Sequence, residues 1–537
     1  MPAITASAFS SHPVTFDFSS HTLTVTPSGG DPATTIPQSQ LICLLPTSCA
    51  DTYTLVHHAS DFDLVRTPIT HPPAALLSYL FLHPLPAHLT DSAVTVVVST
   101  RSGGGRAEAY WDSVLAEFLT EDLKIPARVV KTTDASNIAE VVSALSARDG
   151  DGDGDGNGDG KKKKKKHTLL LLSGDGGVYE ALNAPRSPGG EQALTLALLP
   201  FGTGNALSSS YHAARGYPPL YALLHGAPRA LPTYSARFSV GARWVHGGVH
   251  GGEVRAVKGA VVVSWGFHAS LVADAEELRG EGVGVERFRD AAGRGVREMH
   301  GYRGVVEYKT ALGRGEGEWE TLQLEGDNGG KAHFYTLATM CSNLEAAFTV
   351  SPRSTPGERA MHLVHFATLD APEEVMRIME KAYNAGKHVE DPKVQYRKIK
   401  ALRITVQEKD ERFRRVCVDG GIVVLPEGGS VEVEAGAEGR GVEMVYSGRN
   451  PRNDISRGSY RKLPARVRMS SLMDSSWIGS ISRIQVAAAF QQRQQNYQNQ
   501  QGYQVRPNQL DYQNPQGYQV RPNQLDYQSP QYQNQPN

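Results

Sequence analysis

Two apolar runs in this chain stop on glycine. Thr168–Leu172 leads into Ser173-Gly174-Asp175-Gly176-Gly177, and Ala193–Leu199 leads into Pro200-Phe201-Gly202-Thr203-Gly204-Asn205. Runs this continuously apolar suit strands of a parallel sheet covered on both faces. A glycine-rich turn after such a strand, followed by helix-forming sequence, makes a strand–turn–helix unit. Ligands of open parallel sheets sit at the carboxyl ends of the strands, so both turns should border one crevice. Glycine lets backbone N–H groups approach phosphate oxygens, and the start of a helix adds partial positive charge. Asp175 cannot itself hold a phosphate. Its carboxylate needs another task, such as orienting magnesium or taking a proton from an attacking hydroxyl.

The same pattern occurs once more upstream. Val94–Val98 reads as a strand, Ser99-Thr100-Arg101-Ser102-Gly103-Gly104-Gly105 as its turn, and Ala107–Leu119 as a helix. A further strand is predicted near Arg128–Val130, then Thr132, Thr133 and a helix through Leu145. This alternation predicts a Rossmann-like α/β domain over residues 93–235. Residues 148–166 interrupt it with Asp-Gly repeats and the run Lys161–Lys166. A calcium loop fails on spacing: the twelfth position from Asp149, Asp151 or Asp153 is Gly160, Lys162 or Lys164, never Glu. The segment reads as a solvated, disordered insertion. After a helical stretch, Ala206–His225, strand patterns dominate (Val254–Val263, Gly304–Thr310, His333–Met340, Met361–Phe366, Lys400–Val406, Arg415–Leu425). They predict a β-sandwich-like domain over residues 236–447. Residues 1–90 alternate short β-rich runs with Pro/Gly/Ser turns and read as a small β module.

Ser173 through Asn183 and Leu199 through Asn205 resemble the catalytic signatures of the diacylglycerol kinase / sphingosine kinase superfamily. Ser264-Trp265-Gly266-Phe267 is similar to the segment that opens the lipid-binding region of sphingosine and ceramide kinases. Val416-Cys417-Val418-Asp419-Gly420 resembles the late loop that returns to the nucleotide. The resemblance spans roughly residues 93 to 437. It implies a NAD kinase-like α/β catalytic domain followed by a β-rich domain, with the nucleotide between them. It also implies ATP with Mg2+ as phosphoryl donor and a lipid hydroxyl as acceptor. On this resemblance Asp175 is the catalytic base. ATP contacts fall on Ser99, Arg101, Gly103 and Gly105 in the first loop, and on Thr133. They continue at Ser173, Gly174 and Gly176, then at Gly202, Thr203 and Gly204. After the Trp-Gly-Phe segment they fall on Glu276, Arg279 and Arg287, and in the late loop on Asp419 and Gly420. Three departures stand out. Ser99-Thr100 replaces the usual Asn-Pro, Gly421 replaces a usual Glu, and two extra residues precede Arg287-Phe288.

The lipid side departs most. Where sphingosine kinases carry two aspartates facing the substrate's amine and hydroxyl, this chain has Ser270 and Val272. The nearest acid is Asp274. Burying a cationic amine without a carboxylate is costly. Either Asp274 substitutes and the acceptor is a sphingoid long-chain base, or the acceptor is a neutral alcohol such as diacylglycerol or ceramide. A reading of another class is a catalytically weak membrane-binding scaffold. A soluble NAD kinase-like phosphotransferase shares the Gly-Asp-Gly logic but fits the Trp-Gly-Phe segment less well. No metal site built from protein side chains alone is expected.

Over 537 residues the formal net charge is −1, which gives nucleic acid no global attraction. Anionic lipid headgroups would have to be met by local patches. One is the basic run Arg449, Arg452, Arg457, Arg461, Lys462, Arg466 and Arg468, followed by the apolar stretch Trp477–Val486. The rest of 448–537 is Gln/Asn/Tyr-rich, with Gly502–Tyr512 repeated at Gly517–Tyr527, and reads as disordered. There is no signal-like start and no apolar run of about 18 residues. The four cysteines show no CxxC spacing and read as reduced thiols. Together these predict a cytoplasmic protein that meets membranes peripherally.

Overall fold

The computed structural model describes residues 12–447 except 18–19, 28–30, 61, 101, 134–136, 149–165, 186–193, 213–217, 279–285, 312–316, 325–330 and 438–440. The insertion's repeats, most of its lysine run and the tail from 448 therefore lie outside the described residues.

The N-terminal module is a six-stranded sheet of β1 (His12–Asp17), β2 (Thr22–Val25), β3 (Thr34–Pro37), β4 (Leu41–Pro46), β5 (Thr52–Ser60) and β6 (Asp63–Thr70). Its order is β3-β2-β1-β6-β5-β4, antiparallel except for the β1–β6 pair. Helices α1 (Ala74–Leu80) and α2 (Ala87–Thr90) follow. The module shares a core with the next body: Ile42, Val56 and Leu64 pack with Trp111, Phe118 and Leu223. Arg66 pairs with Asp122 at 2.6 Å. Two of its strands, β3 and β6, escape the sequence pattern because each holds a proline (Pro37, Pro68), which demotes a strand assignment.

The α/β body alternates as expected: β7 (Ser92–Val98), α3 (Arg106–Tyr110), β8 (Ala127–Lys131), α4 (Asn137–Arg148), β9 (Lys166–Ser173), α5 (Asp175–Asn183) and β10 (Leu194–Pro200). The expected helix after the first turn runs on from α3 to Asp122, with wide π turns at Trp111–Leu115 and Phe118–Asp122. The stretch 206–225 is two helices, α6 (Ala206–Tyr211) and α7 (Pro219–His225), followed by β11 (Ala227–Ala230).

The β-rich body contains β12 (Thr233–Phe238), β13 (Arg243–His246), β14 (Val249–Glu253), β15 (Ala256–Gly259), β16 (Val262–Gly266), α8 (Phe267–Glu277) and α9 (Glu286–Glu298). It continues through β17 (Gly304–Thr310), β18 (Glu320–Thr321), β19 (His333–Thr339), β20 (Met361–Ala367), α10 (Pro372–Tyr383) and β21 (Gln395–Val406). β22 (Arg415–Val418), β23 (Gly421–Val424), β24 (Ser430–Ala437) and β25 (Val442–Tyr446) close the described chain. All strands from β12 to β24 form one 13-stranded antiparallel sheet. The sheet curls around its own core, in which Trp265, Leu402, Val416, Val433 and Tyr234 are fully buried.

One strand inside the expected range 236–447 does not join that body. β25 returns to the parallel sheet, whose order is β11-β25-β10-β9-β7-β8. It lies parallel to β10 with Val442 opposite Leu194. A five-residue strand of this pattern pairs equally well in either sheet by sequence, so packing alone assigns it. β10, β9, β7 and β8 run parallel to one another, so their carboxyl ends share one edge. A continuous core ties the two bodies: Leu169, Leu171, Val178 and Leu207 pack with Val261, Phe334 and Phe366.

Candidate functional site

The apolar strands β9 and β10 are buried along nearly their whole length and end at the two glycine turns. There the turns meet backbone to backbone. A Cβ on Gly202 would lie 2.3 Å from the Cα of Gly174, and a Cβ on Gly174 would lie 2.8 Å from the Cα of Gly202. Side chains are excluded at this crossing, so these two glycines serve packing between the loops. Asn205 closes the second loop on itself: Gly202 N donates to its Oδ1 at 3.1 Å, and its Nδ2 donates to Gly202 O at 2.7 Å. Asn205 belongs to the motif, but its role is visible only in the folded loop.

Asp175 starts α5 and reaches across to the other turn. Its Oδ2 accepts from Ala206 N at 2.6 Å and its Oδ1 from Leu207 N at 3.1 Å. It thus caps the start of α6 rather than its own helix. Removal from water pushes its carboxyl up to about 7, against the pull of those two N–H donors; the charge of Asp419 pushes further up. A carboxyl poised there is matched to proton transfer near neutral pH.

Other turns flank it. Ser99 N donates to Leu172 O at 3.1 Å, and Thr100 bonds Thr132 through both backbone and side chain. The first loop and Thr133 are therefore beside the Ser173 turn. Gly104 and Gly105 take left-handed φ values of 68° and 88°, which only glycine adopts readily. Space for a Cβ is empty at Gly104, Gly105, Gly176 and Gly420. These faces are open for a ligand to approach the backbone. Gly204 and Thr203 are exposed at the same edge, while the Ser173 side chain is buried against Gly177. The Thr133 hydroxyl and N–H both donate to Asn137 Oδ1, at 3.1 and 2.6 Å.

Asp419 is not a free ligand. Its carboxylate accepts from Tyr234 Oη at 2.7 Å and from the N–H groups of Ala260, Val261 and Val262 at 2.6, 3.0 and 2.8 Å. Both oxygens accept bonds from the protein itself, so this carboxylate organises the backbone around it. The sequence could not reveal it because the partners lie some 160 to 185 residues away. Gly420, next to it, keeps an open face.

The acceptor-side residues lie on α8. Ser270 is buried and its Oγ accepts from Tyr302 Oη at 2.8 Å. Val272 packs beside Val245, Ile422 and Val424. Asp274 is 5% exposed. It pairs with Arg412 at 3.1 Å and Arg415 at 2.7 Å. Two guanidinium groups already pair with it, which bears on the choice between a substrate amine at Asp274 and a neutral acceptor. Glu276 is half-buried one turn away. Arg287 is buried on the first turn of α9 with its guanidinium 4.9 Å from the Phe288 ring centre, and α9 packs chiefly on α8. Arg101 and Arg279 lie outside the described residues. A separate cleft of about 650 Å3, lined by residues including His300, Arg303, Glu408 and Phe413, contains none of the glycine-turn residues.

Comparison with known proteins bears on the family of residues 93–230. The family described as diacylglycerol kinase catalytic domain matches residues 93–230. No curated protein matches the chain. Among solved structures, a diacylglycerol kinase from Bacillus anthracis str. Sterne is similar at a TM-score of 0.37 and 11% identity, covering 66% of this chain and 97% of that one. Another structure from the same organism is similar at 0.40 and 14%, covering 66% and 98%. Yeast NADH kinase complexed with NADH is similar at 0.33 and 10%, covering 78% and 95%. Identities and scores this low carry no argument about chemistry. The matched segment holds the first glycine loop, Asp175 and both crossing turns, and over residues 93–230 the chain is similar to the diacylglycerol kinase catalytic-domain family.

Proposed function

We propose that this protein transfers the γ-phosphate of ATP to the hydroxyl of a lipid. The observation that carries the reading is Asp175. It is a carboxyl of raised pKa held where two glycine turns cross, beside glycine faces left open to a ligand. Phosphoryl transfer asks mainly for positioning, charge compensation and an oriented nucleophile. Asp175 takes the acceptor's proton; the open backbone at Gly104, Gly105 and Gly176 receives phosphate oxygens. Among the described residues no three or more His, Cys, Asp or Glu side chains gather as a metal site. On this reading a magnesium ion would arrive with the triphosphate and supply charge compensation when bound. The test is labelled-ATP transfer to a panel of lipids in micelles. Asp175→Asn should lower turnover by about a hundredfold to ten-thousandfold, the usual range for a general base. Wild-type turnover in that variant would reject the assignment. Absence of transfer in the wild type, with membrane binding retained, would favour the scaffold reading.

For the acceptor, the resemblance to sphingosine kinases suggests a sphingoid base, but the arginine pairs of Asp274 favour a neutral alcohol. An amine would have to displace Arg412 or Arg415 to reach that carboxylate. We expect diacylglycerol or ceramide to be preferred over sphingosine. A strong sphingosine preference that disappears in Asp274→Asn would reverse this conclusion. No described helix is long and apolar enough to cross a membrane, and peripheral contact with anionic headgroups is part of the proposal.

A further inference from the structure

α5 carries Asp175 at its first residue and Asn183 at its last. Asn183 is exposed, yet its amide is fully engaged. Its Nδ2 donates to Lys258 O at 2.8 Å and to Tyr179 O at 2.9 Å, and Lys258 N donates to its Oδ1 at 2.9 Å. A side-chain amide that both gives to and takes from one residue's backbone imitates a neighbouring strand. Lys258 belongs to β15, in the β-rich body. Two residues further on begin the N–H groups of Ala260, Val261 and Val262 that hold the Asp419 carboxylate. Gly259, between them, has no room for a side chain: its Cβ would lie 2.3 Å from Tyr234 Oη and 2.8 Å from Asp419 Oδ2. The β15 backbone is thus pinned by Tyr234 and Asp419 on one side and by Asn183 on the other.

We infer that Asn183 is a positioning residue: it ties the helix bearing Asp175 to the strand that leads into the N–H groups holding the Asp419 carboxylate, and so sets the approach of the two carboxylates across the boundary between the bodies. α5 acts as a strut of nine residues, about 13 Å long, bonded to α6 at one end and to β15 at the other. The other titratable groups around the two carboxylates are Tyr179 on α5, Tyr234 on β12, Cys341 after β19 and Cys417 on β22. Burial raises the pKa of each, so all stay neutral at pH 7. Removal from water raises the Asp175 carboxyl most and Asp419 pushes it further up; a looser strut weakens both.

The catalytic consequence rests on the kinase reading; the tether does not. The experiment uses the full-length protein and its Asn183→Ala and Asn183→Asp variants. It measures amide exchange over Lys258–Val262, the Asp175 carboxyl titration by 13C NMR with Asp175→Asn for assignment, and the pH dependence of turnover. Asn183→Ala should speed exchange about tenfold and lower the Asp175 midpoint by roughly half a pH unit. It should also cut plateau turnover about tenfold, equivalent to ~1.4 kcal/mol of barrier. Asn183→Asp, which keeps the acceptor for Lys258 N–H, should recover part of the protection. Unchanged exchange in Asn183→Ala overturns the tether. Faster exchange with an unmoved Asp175 midpoint overturns the positioning role. If the wild type transfers no phosphate, the kinase reading falls, and the exchange and titration results still decide the inference.

Discussion

Asp175 balances opposed effects. Two N–H donors favour its anion, while loss of water and the nearby Asp419 disfavour it, and the second pair wins, leaving the group near 7. A base must be ionised to accept a proton. The pH–rate profile of kcat/KM for the free enzyme should therefore fall as pH drops through about 7 and level off above it. A profile flat down to pH 5 would mean that another group takes the proton. Asn183 and Asn205 act at the same scale without touching a reacting atom. Each uses one amide to satisfy both halves of a peptide group, and neither leaves a trace in hydrophobic pattern.

The crossing of the two glycine turns is the element on which the site depends. Gly202→Ala places a methyl group within 2.3 Å of backbone that has no side chain to yield. It should cost about 1–3 kcal/mol, as overpacking does, and reduce transfer. Gly176→Ala is the control. Its Cβ meets open space on the first turn of a helix, so stability should stay within about 1 kcal/mol of wild type. Mg-ATP affinity should nevertheless drop, because the filled face is the one open to phosphate. Thermal melts with calorimetric ATP titration check both. A Gly202→Ala protein that melts like wild type would show that the loops are not in contact in solution. On α8, Asp274→Asn leaves Arg412 and Arg415 without their shared counter-charge. The cost should be roughly 3 kcal/mol, the low end for a broken buried pair, since Arg412 remains a third exposed.

Across the whole molecule, nine described histidines have pKa values lowered, chiefly by burial: His57, His58, His88, His225, His268, His333, His362, His365 and His388. Where burial acts most strongly, at His58, His225, His268, His333 and His388, the value falls to about 4. Those five are neutral in the folded protein at pH 5, while the unfolded chain binds protons below about 6.5. Stability from these groups is present above that pH and is lost as pH falls toward 4. Asp175, Asp419 and Glu345 act oppositely, because their raised folded pKa values favour the folded state on acidification. The histidines outnumber them, so the melting temperature should be lower at pH 5 than at pH 7, by roughly 5 °C. An equal or higher value at pH 5 would show that the carboxyls dominate. The described chain ends just past β25, within the parallel sheet. Deleting residues 491–537 should leave specific activity within about twofold, or ~0.4 kcal/mol of barrier. Deletion from Arg449 onward removes a basic run worth about 1 kcal/mol per residue at an anionic surface, and should abolish sedimentation with anionic liposomes. Undiminished binding would move the membrane contact to the ordered body or to Lys161–Lys166.

The strand–turn–helix units were legible because each is local. An apolar run, a glycine turn and a helix start occupy about twenty consecutive residues, and β9, α5, β10 and α6 appear where that pattern places them. Asp175 was legible as a candidate because it sits inside one of these local turns, although the N–H groups it accepts from lie 31 and 32 residues further on. The partners of Asp419 and Asp274 were not, because a carboxylate's role depends on what faces it. Here those partners arrive from strands up to 185 residues away. Nor could pattern assign β25, whose few apolar residues suit either sheet. By itself the sequence determined the α/β alternation, the β-rich second half and the glycine turns after β9 and β10. Only the tertiary structure decided which acids remain available there, since hydrogen bonds and ion pairs from distant segments neutralise some carboxylates and leave Asp175 poised.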